Sequence, residues 1–287
     1  MATCTRTVDL EVAAIEDFRE VLTREVRRGL IARPRSLSPW MFYDAEGSRL
    51  FERITALPEY HPTRTERAIL VGNADAIIAR AHNDRSLPLR LVELGAGTAS
   101  KTCILLGAAL CISDDVIYMP VDVCSDALEL ACENVASALP EVSIQRQLQA
   151  GDALLLGADM VKDESTLLAA YDDSDGITAA FNLDILDRHN RELGANIDAA
   201  CFRYRMLWNS IESRIEMHLE CTREQDVSIE DADLDLHFMP RETIHTENSY
   251  KFTDRSIRSL LNESGFEIGG SWRDRRGWYT LTLAGLW

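Results

Sequence analysis

The sequence predicts an α/β chain in which a Rossmann-like nucleotide-binding domain is joined to a second, α+β domain. Three observations carry that expectation. A largely apolar run, Leu89–Leu94, enters the turn Gly95-Ala96-Gly97, and the chain then reads as helix to Leu110. That is the pattern of a buried parallel strand feeding a helix. A second apolar strand, Val116–Val121, ends at Asp122, about 20–30 residues past the glycines, where an acid suits the two hydroxyls of a ribose. From Phe202 the pattern changes to short alternating runs, with a period near two over Ser213–Leu219.

The glycines let the backbone approach a ligand closely, and the open N–H groups of the following helix face it. Two ligands fit, a dinucleotide or S-adenosylmethionine. The dinucleotide fingerprint needs a third glycine where Ser100 stands, and a pyrophosphate is poorly served by Glu93 and Asp122. These residues favour the sulfonium nucleotide. A lone Gly-x-Gly turn also occurs in α/β domains of other function.

With 287 residues, 46% of them apolar, the chain can bury a sizeable core in one large domain or two modest ones. The net charge of −17 speaks against nucleic acid or an anionic membrane surface as partner. No apolar run approaches the roughly 18 residues of a membrane span. The N-terminus carries Asp9, Glu11, Glu16 and Asp17 and lacks the apolar centre of a secretion signal, so the expected location is cytoplasmic. Seven cysteines without a Cys-x-x-Cys pair read as small core residues of a reducing compartment. Six histidines without paired spacing predict no metal site.

In chain order, Leu10 to Leu30 reads as an amphipathic helix with Val12, Ile15, Phe18, Val21 and Leu22 on one face. Arg24, Arg27 and Arg28 fall in its last turns, where cations suit the dipole. Pro34 and Pro39 break the chain. Trp40, Phe42 and Tyr43 then precede a short helix through Phe51, as plain packing or as the lid of a small-molecule site. Leu57–Pro62 is turn chemistry before a helix to about Ala81, with Thr63 and Glu66 spaced as a capping box. Strand 89–94, helix 98–110, strand 116–121, helix 125–137 and strand 141–145 follow, then a buried strand within Gly151–Asp159. Only residues 145–152 join those last two strands, fewer than the about 10–12 that a parallel crossover needs. Residues 163–173 and 176–192 read as helices around the turn Tyr171–Gly176. Strands cover 202–227, a solvated acidic loop Glu230–Asp235, a helix Thr253–Ser264 stopped by Gly265, and last strands 266–272 and 278–284.

Taken together the motifs resemble the histidine-specific Nα-methyltransferase family of ergothioneine biosynthesis. They include Phe42-Tyr43-Asp44, Leu57-Pro58-Glu59-Tyr60, Pro62-Thr63-Arg64-Thr65-Glu66, Val92-Glu93-Leu94-Gly95-x-Gly97-Thr98 with Lys101, and Pro120-Val121-Asp122-Val123. They continue through Leu154–Asp163, Ala170-Tyr171-Asp172-Asp173, Gly176–Asn182, Asn190–Leu193, Arg214-Ile215-Glu216-Met217 and Thr246-Glu247-x-Ser249-x-Lys251-Phe252. The resemblance spans most of the chain, in order.

It implies a class I methyltransferase fold that uses S-adenosylmethionine. Gly95 and Gly97 would approach the cofactor, Asp122 would hold its ribose and Lys101 its methionyl carboxylate. Residues 1–62 would contribute helices to the substrate domain, 63–160 would form the nucleotide domain, and 161–287 the substrate-binding α+β domain. Tyr60 and Tyr171 would act catalytically by positioning the amino and carboxylate groups of L-histidine. Glu247 and Ser249 would bond its imidazole, with Met217 and Tyr43 nearby. The reaction implied is stepwise methylation of the α-amine to the trimethylated betaine, hercynine, by a monomer. His61 stands where the family is commonly aromatic and reads as a conservative loop change.

The chain departs from the family at 145–152, where members carry about forty more residues with a further strand and helix of the doubly wound sheet. Strand Ala153–Ala158 is the candidate to move beside Leu89–Leu94 and fill the gap. The departure leaves open an active enzyme, a silent relative or shortened form that binds without turnover, and a methyltransferase acting on another aromatic amino acid.

Overall fold

The structure, a computed structural model, describes residues 18–82, 88–122, 124–144 and 154–285. Its elements begin with α1 (Phe18–Ile31), β1 (Arg35–Ser36), α2 (Ala45–Thr55) and α3 (His61–Ala81). An alternating unit follows: β2 (Leu89–Leu94), α4 (Thr102–Leu110), β3 (Val116–Val121), α5 (Ser125–Ala138) and β4 (Ser143–Ile144). Next come β5 (Leu154–Asp159), α6 (Glu164–Ala169), α7 (Ile177–Leu193), β6 (Phe202–Asn209), β7 (Arg214–Cys221) and β8 (Gln225–Ile229). The chain closes with β9 (Leu234–Phe238), β10 (Thr243–Tyr250), α8 (Asp254–Glu263), β11 (Glu267–Arg273) and β12 (Tyr279–Gly285).

α1 buries Leu22, Val26 and Leu30, one turn apart on one face. The helical residues expected over 10–17 lie outside the described residues. In α2, Asp44 caps the helix by accepting the Gly47 N–H at 2.8 Å. α3 starts earlier than expected, at His61, with Pro62 in its first turn, where a missing N–H costs nothing. The expected Thr63–Glu66 capping box therefore does not form. Residues 230–235, expected to be a solvated loop, instead run from a short 3₁₀ turn into β9, which pairs with β8.

Two hydrophobic cores organise the chain. The first joins α1, α2 and α7 to the sheet β1-β10-β7-β6 through residues such as Leu22, Met41, Leu186, Leu219 and Ile244. The helices of the N-terminal segment thus share a core with the later sheet. The second is built on α3, whose Ile69, Ile77 and Ile78 pack with Leu106, Tyr118 and Leu281.

β2, β3 and β4 form a parallel sheet with β3 in the middle and its first five residues buried. β5 does not fill the place beside β2. It pairs antiparallel with β12, Gly157 opposite Leu281, in a separate sheet ordered β11-β12-β5. The part of the chain expected to bind a nucleotide is therefore two half-sheets, and neither β2 nor β5 has a strand on its second edge among the described residues. α3 holds the halves together, since Leu106 and Tyr118 come from one and Leu281 from the other. The pairing runs across the boundary expected at residue 160. β11 and β12 belong with β5 because antiparallel pairing with β12 is the sheet bonding β5 has.

An unpaired edge leaves strand amides open to water. Amides of β2 should therefore exchange hydrogen orders of magnitude faster than those of β7, which is paired on both sides. Exchange mass spectrometry of peptides covering 89–94 and 214–221 measures the difference.

Candidate active site

The site is built on β10. Ile244 faces Leu219 in the first core, so continued alternation would aim Thr246 and Asn248 inward. A bulge intervenes: His245 pairs with His218 and Glu247 with Met217, leaving Thr246 over. The extra residue reverses the parity of the strand. Beyond it Glu247 stands opposite Met217 and Ser249 opposite Ile215, the buried face of β7. α7 locks the bulge. Thr246 Oγ1 lies 3.0 Å from Asn182 Oδ1 and 3.0 Å from the Met217 carbonyl, and Asn182 is itself fully buried.

Glu247, Ser249 and Met217 line a small pocket with Tyr60, Tyr171 and Phe181. Its volume of about 60 Å³ suits a small flat ring. The walls are aromatic: Tyr60 meets Tyr171 edge to face at 6.1 Å, and Phe51 meets Phe181 at 6.0 Å. Tyr43 packs on Phe51 and Phe181. Burial pushes the Tyr60, Tyr171 and Tyr43 phenols above their ordinary range, so they stay neutral at physiological pH. Burial also pushes Glu247 up to about 7, against the pull of Lys251.

Beneath the pocket lies a buried charge cluster. Phe252 donates its N–H to the Asp159 carbonyl at 2.8 Å, and Val161 donates to the Phe252 carbonyl at 2.9 Å. This splice of the chain after β5 to the chain after β10 brings Asp159 against Lys251, 3.3 Å from Oδ2. Lys162 pairs with the other Asp159 oxygen, and His61 Nε2 is 3.2 Å from it. Burial opposes the charge on Asp159, but His61, Lys251 and Lys162 outweigh it and hold the carboxyl below its usual range. His61, expected as a loop residue, is thus the first residue of α3, buried between Asp159 and the Trp278 ring at 5.0 Å.

The glycine turn forms the second half of the site. Gly95 and Gly97 both take positive φ, +73° and +51°, the left-handed region that glycine enters without strain. Asp122 accepts the Gly97 N–H at 2.9 Å and the Cys124 N–H at 2.9 Å, which fixes its carboxylate at the end of β3. Lys101 is paired with Glu66, not free. α2 links the halves, because Phe51 and Ile54 line the pocket while Glu52 approaches Gly97. Tyr43 lies between them, its phenol pushed up by burial first and then by both Glu247 and Asp122.

The structure therefore gathers Tyr60, Tyr171, Met217, Glu247 and Ser249 in one pocket, with Tyr43 beside it. It sets Gly95, Gly97 and Asp122 together at the strand ends, with Lys101 turned to Glu66. Among the described residues no His, Cys, Asp or Glu cluster could hold a metal. Sequence reasoning gave no site role to His61, Asp159, Lys162 and Lys251, though the last three stand within the family motifs. Lys251 was findable, since Glu247, Ser249 and Lys251 alternate and must share a face.

A family model described as histidine-specific, SAM-dependent methyltransferase matches residues 22–147 and 142–286. The chain belongs to that family. It is 38% identical to a histidine N-alpha-methyltransferase of Mycolicibacterium smegmatis, covering 94% of this chain and 97% of the relative. It is 34% identical to one of Mycobacterium tuberculosis, covering 92% and 94%. An ergothioneine biosynthesis protein 1 of Schizosaccharomyces pombe is 24% identical over 79% of this chain, 36% of its own length. The family match breaks at 142–147, where the short connection stands. The first of these alignments runs over 315 positions, more than the 287 residues of this chain, so this methyltransferase lacks residues that the relative carries.

Glu247 makes a signed prediction. Its carboxyl titrates at about 7 in the folded chain, above its ordinary value near 4.3. Between those values the folded state binds more protons than the unfolded state, so stability falls as pH rises through this window. Glu247→Gln should flatten that slope and raise stability at pH 8 by about 2 kcal/mol. Denaturant unfolding at pH 5 and pH 8 measures it.

Proposed function

We propose that this methyltransferase binds S-adenosylmethionine at the glycine turn and L-histidine in the tyrosine-walled pocket, and methylates the histidine α-amine stepwise to hercynine, the first step of ergothioneine biosynthesis. The observation that carries the reading is Glu247 beside Ser249 on the pocket floor. An anionic acceptor and a hydroxyl can satisfy both nitrogens of an imidazole. A ring lacking them would leave buried polar groups unpaired.

The residues present fit the cofactor. Nothing lies within 4 Å of where a Cβ at Gly95 would stand, so the backbone is open to a close ligand. The Asp122 carboxylate has about four lone-pair sites and uses only two on backbone amides, leaving capacity for ribose hydroxyls. Lys101 would reach a methionyl carboxylate only by sharing or leaving Glu66. When bound, the cofactor supplies a methyl group on a sulfonium, and the carbon–sulfur bond breaks as the amine lone pair takes the methyl. The chain's share is positioning, which dominates such an in-line displacement. Tyr60 and Tyr171, kept neutral by burial, orient the amine and carboxylate without adding a competing anion.

A second reading, a relative that binds histidine without turnover, draws on the unpaired edges of β2 and β5. Incubation of the folded protein with S-adenosylmethionine and histidine, tryptophan or tyrosine separates the readings. Mass shifts of one, two and three methyls on histidine are expected. Histidine binding without methylated product would favour the silent relative, and methylated tryptophan or tyrosine would move the substrate. Asp122→Ala should weaken S-adenosylmethionine binding at least tenfold by calorimetry while leaving histidine affinity unchanged, as expected for loss of a charged hydrogen-bond partner.

A further inference from the structure

Lys251 is 3% exposed and belongs to no role assigned above. Its ammonium has three donors and no acceptor. One reaches Tyr171 Oη at 2.8 Å, one Ser249 Oγ at 2.6 Å, and the third side faces Asp159 Oδ2 at 3.3 Å. Lys251 does not line the pocket, whereas Tyr171 and Ser249 do, so any effect of Lys251 on it passes through those two.

Those two hydroxyls are themselves 2.6 Å apart. Each oxygen already accepts from Lys251, and each carries one hydrogen. One hydrogen fills the bond between them, which leaves one free O–H for the pocket. A phenol is the stronger acid and an aliphatic hydroxyl the better acceptor, so Tyr171 donates to Ser249. Ser249 Oγ then accepts twice, from Lys251 and from Tyr171, and both its lone pairs are spent. What it offers the pocket is its hydrogen alone. Across the floor Glu247, when ionised, offers only acceptor oxygens.

Resting on the reading of this pocket as the histidine site, we propose that Lys251 is a positioning residue that makes Ser249 an obligate donor to the bare nitrogen of the neutral ring tautomer that ionised Glu247 selects. The ring presents its bare nitrogen to Ser249 and its N–H to Glu247. Without the ammonium, Ser249 regains an acceptor site and can turn its hydrogen to Tyr171, leaving the bare ring nitrogen without a donor while ionised Glu247 still holds the N–H.

The test is nuclear magnetic resonance of ring-¹⁵N-labelled L-histidine bound to the full chain at pH 8.5, with affinity from calorimetry. In the native protein two well-separated ring ¹⁵N resonances are expected, one of a bare and one of a protonated nitrogen. Lys251→Met should weaken binding about tenfold and move the bare-nitrogen resonance downfield, towards that of a ring nitrogen accepting no hydrogen bond, so that the separation changes while the protonated resonance stays in place. A Lys251→Met protein with native affinity and native ¹⁵N separation would overturn the proposal while leaving the histidine site intact. A native protein that melts cooperatively and takes up no histidine would overturn both together. Should Lys251→Met fail to melt cooperatively, Ser249→Ala replaces it. That variant keeps Lys251 near Tyr171 and Asp159, and the same downfield shift of the bare nitrogen is expected; an unchanged separation again overturns the assignment.

Discussion

The site depends on one unpaired residue. Thr246 interrupts the alternation of β10, and that single insertion turns Glu247, Ser249 and Lys251 inward. Without it the strand would aim Asn248 and Tyr250 into the core and the acid into solvent. The bulge persists because Asn182, buried on α7, meets the Thr246 hydroxyl. α7 is fixed in turn by the first core, where Phe181 stacks on Phe42 at 4.7 Å. The geometry of the pocket floor thus follows from helix packing on its far side.

Beneath that floor the chain keeps an anion among cations and away from water. Burying charge is costly unless partners satisfy it, and Asp159 has Lys251, Lys162 and His61. The cluster ties three segments that belong to different parts of the fold: the end of β5, the end of β10 and the start of α3. His61 opens α3, whose residues build the second core, and Tyr60, immediately before it, packs against residues of the first. A pocket at such a joint can receive the side chain of a small amino acid from one side and a nucleotide from the other.

The two halves of the site are unequal. The pocket half retains a continuous four-stranded sheet and a locked bulge. The nucleotide half has lost continuity, with β2 and β5 in separate sheets joined through α3. Apolar side chains mark the loss: Leu94 at the end of β2 is 78% exposed. An acid fixed by backbone amides and a turn of positive-φ glycines survive because both are local, needing only β2, β3 and the turn between them.

The strand–glycine–helix unit, the terminal acid and the alternation of the later strands were legible in the sequence because each is set by neighbours a few residues apart. So was the shortness of residues 145–152, which ruled out an ordinary parallel crossover by length alone. The motifs resembling the methyltransferase family identified Glu247, Ser249, Tyr60 and Tyr171 as a set. The sequence did not determine that β5 would pair with β12 in place of β2, since strand choice depends on what else is packed nearby. Nor did it reveal that His61 would join Asp159 and Lys162, because those contacts close loops of about a hundred residues, which no local spacing encodes. The parity of β10 was likewise decided by tertiary structure. A period of two can be read from sequence, but the residue at which it slips is chosen by the partner strand and by α7.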